Sequence, residues 1–157
     1  MNNMKTVLTA IIVLFSSHSF AASYDIKSAD EIAGDICTPG EIVFYGLTER
    51  GSGQVAVCAL PNDRYRYLYG KIGHQPEKTI VKTRSEIAVV IDDRQGSSEE
   101  QVCFGVPDYV YCVGNVTDYH KKIDLDRVLV IPRKDRDNTT TVRLDSETVV
   151  NRIREMF

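Results

Sequence analysis

The sequence predicts a mainly β domain, built as an antiparallel sandwich, an open barrel or a propeller-like meander of about eight strands, with a short helix near each end. Three observations predict it. Short apolar, β-branched runs such as Glu41–Leu47 and Arg127–Ile131 recur between turn-forming clusters. Helical periodicity occurs only near the two ends of the chain. Four cysteines follow an export-type leader, the usage of small disulfide-stapled scaffolds.

The leader is residues 1–21. Lys5 charges a short polar start, Val7–Phe15 is an unbroken, mostly apolar run, and Ser19 and Ala21 are small residues at the positions a signal peptidase reads. This three-part pattern predicts a signal peptide cleaved before Ala22, and its apolar run is too short to span a bilayer. Residues 22–157 then form a single disulfide-bonded β domain in the periplasm, with no later apolar run of membrane-spanning length and no membrane anchor.

Along that domain, Ser28-Ala29-Asp30-Glu31 reads as a capping box opening a short helix that Gly34 and Thr38-Pro39-Gly40 bring to an end. Glu41–Leu47 and Gln54–Leu60 flank the break Glu49–Gly53, which predicts a hairpin. Both faces of both strands are largely apolar, so the hairpin should be covered on two sides. Tyr65–Tyr69 alternates strictly, placing Tyr65, Tyr67 and Tyr69 on one face. Glu77–Thr83 and Glu86–Ile91 are further strands, and Asp92–Gln101 is expected to be a polar loop. A second hairpin, Gln101–Val106 with Tyr109–Val113, turns at Pro107-Asp108. That turn sets Phe104 opposite Tyr111 and Cys103 opposite Cys112, close enough to bridge. Gly114–Lys122 reads as a loop, and Arg127–Ile131 and Thr139–Leu144 as strands. Val149, Val150, Ile153, Met156 and Phe157 form one apolar stripe, predicting a C-terminal helix of about three turns packed on the sheet. Cross-strand register pairs Cys103 with Cys112. Elimination then pairs Cys37 with Cys58, helped by the Pro39-Gly40 turn.

Composition restricts function. Removing the leader loses only Lys5, taking the formal net charge from −3 to −4, so the domain lacks the basic balance of a nucleic-acid binder. No C-x-x-C spacing exists and only His74 and His120 remain as histidines, which argues against a metal centre; no cofactor is expected. No nucleophile elbow or catalytic constellation stands out, and the acids of Asp92–Glu100 read as a solvated loop, so no catalytic residue and no enzyme are predicted. Two hairpin tips are candidate partner-binding elements. Arg50 and Ser52 lie on one, Asp108 and Tyr109 on the other, and a tip stiffened before binding loses less entropy on association. Tyr65, Tyr67 and Tyr69 form the alternative site, an aromatic face for a glycan or small ligand in the cell envelope.

Cys37, Gly40-Glu41, Val43-Phe44, Val55-Ala56-Val57-Cys58 and Tyr67-Leu68-Tyr69-Gly70 together resemble a recurring pattern of small exported bacterial β proteins. Tyr45 stands where many members carry a further Cys. In size, export and disulfide use the chain is also similar to periplasmic inhibitors, namely lysozyme inhibitors and the immunity proteins directed at wall-degrading type VI secretion effectors. Ser52-Gly53 resembles the Ser-Gly loop that some lysozyme inhibitors present to catalytic carboxylates, without a Tyr at the expected spacing. The resemblance implies a protein partner, a peptidoglycan-degrading enzyme, bound and inhibited rather than processed.

Overall fold

The computed structural model describes residues 28–157, so the leader and the cleavage point before Ala22 lie outside the described residues. Helix α1 spans Ala29–Cys37 and opens on the expected capping box: Glu31 N donates to Ser28 Oγ at 3.3 Å and Ser28 N to Glu31 Oε2 at 2.8 Å. Thr38 closes it by donating both its N–H and its hydroxyl to Gly34 O.

Ten strands follow among the described residues: β1 Glu41–Leu47, β2 Gly53–Leu60, β3 Arg64–Lys71, β4 Lys78–Thr83, β5 Ile87–Arg94, β6 Ser97–Gly105, β7 Tyr109–Asp118, β8 Ile123–Pro132, β9 Thr140–Arg143 and β10 Val150–Asn151. They form two five-stranded sheets, ordered β10-β1-β2-β3-β4 and β5-β6-β7-β8-β9, with every neighbouring pair antiparallel. The protein is therefore mainly β, and its sheets do not close into a barrel. Alternation gives each strand an inner and an outer set of side chains. Phe44, Val55, Val57, Tyr67 and Ile80 of the first sheet meet Val102, Phe104, Val113 and Val128 of the second in one core.

The β1–β2 hairpin is covered on both sides, as its two apolar faces require. Its outer residues Ile42, Tyr45, Ala56 and Cys58 pack under Ala33 and Cys37 of α1 in a second, smaller core. Arg66 lies on this same outer face and donates from Nη2 to Ile36 O at 3.0 Å, placing a cation at the C-terminal end of α1, where the helix dipole favours one. Both cysteine pairings follow the expectation. Cys37 is bonded to Cys58, fastening α1 to β2, and Cys103 to Cys112, across β6 and β7. The second hairpin has the predicted register, with Cys103 opposite Cys112 and Phe104 opposite Tyr111.

Three segments depart from expectation. Asp92–Gln101 is not a loop but most of the β5–β6 hairpin, turning at Gln95-Gly96 with Gly96 at φ 88°. Its acids are tolerated in strands because partners sit within reach: Ser98 Oγ donates to Asp93 at 2.9 Å and Arg94 pairs with Asp92 at 2.7 Å. Gly114–Lys122 is likewise mostly strand, because Asn115 and Thr117 of β7 donate to Asp124 and Asp126 across β8. Only Tyr119–Lys122 turns, its start held by Asp118, whose carboxylate accepts from His120 N and Lys121 N.

The third departure is the C-terminal helix, which is a single turn, α2 Ile153–Met156. Val150 and Asn151 add instead as β10 to the open edge of β1, opposite Tyr45 and Phe44. β-Branched Val150 beside an unfilled sheet edge gains a ladder that a helix would forgo. The packing half of that expectation stands: Ile153 is fully buried, and Met156 and Phe157 lie against the main core.

Candidate functional site

The first tip is anchored through Thr48. Its N–H donates to Gly53 O at 2.9 Å, its carbonyl accepts from Gly51 N at 2.7 Å, and its hydroxyl accepts from Gly53 N at 3.1 Å. Gly51 takes φ 67°, a left-handed conformation that suits glycine. Glu49 N donates to Arg143 O and Ile72 N to Ser52 O, so the tip is held from both sides. Glu49, Arg50 and Ser52 are nonetheless exposed. The side chains are free while the backbone beneath them is fixed.

The second tip is held the same way. Val106 N donates to Tyr109 O at 2.9 Å, and Arg133 reaches over from the end of β8 to give its N–H to Asp108 O and its Nε to Val106 O. The Cys103–Cys112 bond lies just below. Asp108 is exposed and Tyr109 is 41 % exposed, its ring 6.2 Å from that of Tyr111. All four predicted contact residues are thus at the surface on braced turns.

The tyrosine stripe is distributed differently from a binding face. Tyr65 and Tyr67 are buried. Tyr67 packs between Phe104 at 5.8 Å and Tyr111 at 5.6 Å, and burial pushes its hydroxyl pKa well above the usual value. Tyr65 lies 5.1 Å from the ring of Phe157. These two are core residues, because the inner face of β3 is the one the second sheet covers. Tyr69, half-buried at the end of the stripe, is the most open of the three and borders a cleft.

That cleft, of about 510 Å³, is bounded by the first tip, Tyr69, Lys71, Glu77 and the β9 segment Thr141–Arg143. A recess of about 240 Å³ shares Tyr69 and Glu77 with it and continues to Tyr67, Lys78 and Tyr111. Lys78 Nζ stands 5.3 Å above the Tyr111 ring. Sequence reasoning missed Lys71, Glu77, Lys78, Tyr111 and Arg143. Of these, Tyr111 had a signal, since Tyr109-Val110-Tyr111 alternates and puts both rings on one face.

The acidic segment stays partly exposed, and its charges are locally paired. Asp92 pairs with Arg94, Glu99 with Arg127 at 3.1 Å, and Asp93 and Glu100 with Arg154 at 2.9 and 2.6 Å. The Arg154 and Ser98 hydrogen bonds hold the Asp93 carboxyl below the ordinary carboxylate pKa. Asp126 is shifted the other way by burial. Among the described residues, no three or more His, Cys, Asp and Glu side chains gather into a group able to hold a metal ion. His74 borders a separate hollow beside Arg66, and His120 lies against Gly96.

Comparison of the chain with family models, with curated proteins and with solved structures finds no significant match.

Proposed function

We propose that this chain is a periplasmic binding protein that inhibits another protein, its target being a peptidoglycan-degrading enzyme such as a lysozyme or a wall-degrading secretion effector. The observation that carries this reading is the construction of the two tips. Exposed Arg50, Ser52, Asp108 and Tyr109 stand on turns whose backbones are already hydrogen-bonded to neighbouring elements. Such tips enter a partner's cleft with little further ordering, which favours affinity. Arg50 offers a planar fork of donors to the carboxylates that wall hydrolases use, and Tyr109 offers an amphipathic anchor of the kind that dominates interface energies. The export-type leader and the two disulfides fit an oxidising compartment outside the cytoplasm.

The test is a lysis assay with a panel of purified lysozymes and amidases, titrated with the mature, disulfide-bonded protein. Stoichiometric loss of activity of at least one hydrolase is expected, weakened about tenfold or more by Arg50→Ala or Tyr109→Ala. Unaltered hydrolysis across the panel, or inhibition indifferent to both substitutions, would overturn the reading.

A further inference from the structure

We propose that the cleft that the first tip shares with Tyr69, Lys71 and Arg143 is a binding site for a carboxylate-bearing saccharide. The cleft has the volume of a small-ligand site, about 510 Å³, and the Tyr69–Tyr111 recess extends its floor.

Charge is the first argument. Arg50, Lys71 and Arg143 all line the cleft, and none of them makes an ion pair with a described residue. Other surface cations, among them Arg64, Arg84, Lys122 and Lys134, likewise make no ion pair with a described residue, so it is the convergence of three on one hollow that counts. Unpaired cations converging on one hollow, in a chain of net charge −3, reverse the sign of the protein locally and favour an anion there. Glu49 and Glu77 share the rim. They leave the balance positive but oppose a doubly charged phosphate more strongly than a singly charged carboxylate, and they offer acceptors to neutral hydroxyls.

The aromatic floor is the second argument. Tyr69 borders both the cleft and the recess and sets an aromatic ring next to polar groups, the combination that an amphipathic sugar ring matches, with apolar C–H faces and a hydroxyl rim. An acidic peptide fits less well. A strand-adding peptide needs free backbone groups, and at the tip end of β9 the Arg143 carbonyl already accepts from Glu49 N.

The experiment is calorimetric titration of the mature protein with oligogalacturonate, with neutral maltotetraose and with a tetraglutamate peptide, at low and high salt. Oligogalacturonate is expected to bind best, and more weakly as salt rises. Arg143→Gln should weaken it about tenfold, the loss of one charge-assisted contact, without lowering the melting temperature. Asp108→Ala, on the other tip, should leave it unchanged. Equal binding of maltotetraose, tighter binding of tetraglutamate, no binding of the uronate at concentrations on the order of millimolar, or an unchanged affinity for Arg143→Gln would each overturn the proposal. Arg50 belongs both to this cleft and to the inhibitory tip, so the two readings are told apart by Arg143→Gln, which the inhibition does not use, and by Tyr109→Ala, which the cleft does not use.

Discussion

Arg154 grips Asp93 with two parallel hydrogen bonds, Nη1 to Oδ2 at 2.9 Å and Nη2 to Oδ1 at 3.0 Å, tying the last helical turn to the end of β5. Its Nε reaches Glu100 on β6 at 2.6 Å, and Asn151 donates to the same carboxylate. The guanidinium fork suits this geometry better than an ammonium would. Because Arg154 and Ser98 lower the Asp93 pKa in the folded state, the contribution is present above the ordinary value of 3.8 and is lost as pH falls through the lower folded one. Asp93→Asn should therefore flatten the acid limb of the melting-temperature profile and speed amide exchange in α2. A profile identical to wild type between pH 5 and pH 2, to the resolution of about one pH unit, would show the pair to be idle.

Ile153 heads the same turn and is fully buried in the main core. Ile153→Asp replaces an apolar contact with a charge that has no partner there. A destabilisation of about 3 kcal/mol or more is expected, read from urea unfolding. Ile153→Val, which keeps the shape, should cost about 1 kcal/mol. Equal stability of the Asp variant and wild type would mean that the turn is undocked in solution.

What could be read from the sequence depended on whether side-chain patterning and backbone needs agreed. At Glu41–Leu60 they agree: apolar runs, a glycine-rich break and a covering helix all require the same hairpin. Cys103 and Cys112 were placed by arithmetic on a single turn. At Asp92–Gln101 they conflict, since no apolar residue marks the strand, and the acids are instead accommodated by a Ser98–Asp93 hydrogen bond across the hairpin and by cations of β8 and α2. At Val149–Phe157 the helical stripe was real for Ile153, Met156 and Phe157, but the open edge of β1 captured Val150 and Asn151 first. Both are tertiary effects that no local window contains. For the same reason the tips were legible as turns, whereas the cleft was not. It brings together Arg50, Tyr69, Glu77 and Arg143, distant in sequence, and depends on how the two sheets meet.

The two disulfides should differ in weight. Cys37–Cys58 spans 21 residues and Cys103–Cys112 spans 9. Loop-closure entropy alone assigns the first about 3.4 kcal/mol and the second about 2.7 kcal/mol. The first also holds α1 over Tyr45 and Ala56, whereas the second joins strands already paired along their length. The Cys37→Ala/Cys58→Ala protein is thus expected to unfold at lower urea than Cys103→Ala/Cys112→Ala. The reverse order would show that α1 docks without its bond.

Tyr67 and Tyr109 separate the tip from the core, provided that folding is measured beside binding. Tyr67 is 1 % exposed and contacts two aromatic rings, so Tyr67→Ala opens a cavity and should cost about 3–5 kcal/mol in stability. Any loss of binding in that variant reports damage to the sandwich. Tyr109 is 41 % exposed at the end of a braced turn, and its removal should change the melting temperature little. Tyr69 is the informative control, since it alone of the tyrosine stripe borders the cleft. With an inhibited hydrolase in hand, Tyr109→Ala should weaken the complex about tenfold or more, mainly through faster dissociation, while Tyr69→Ala leaves it intact. The opposite pattern, Tyr69→Ala abolishing the complex and Tyr109→Ala tolerated at wild-type stability, would move the protein contact from the tips into the cleft.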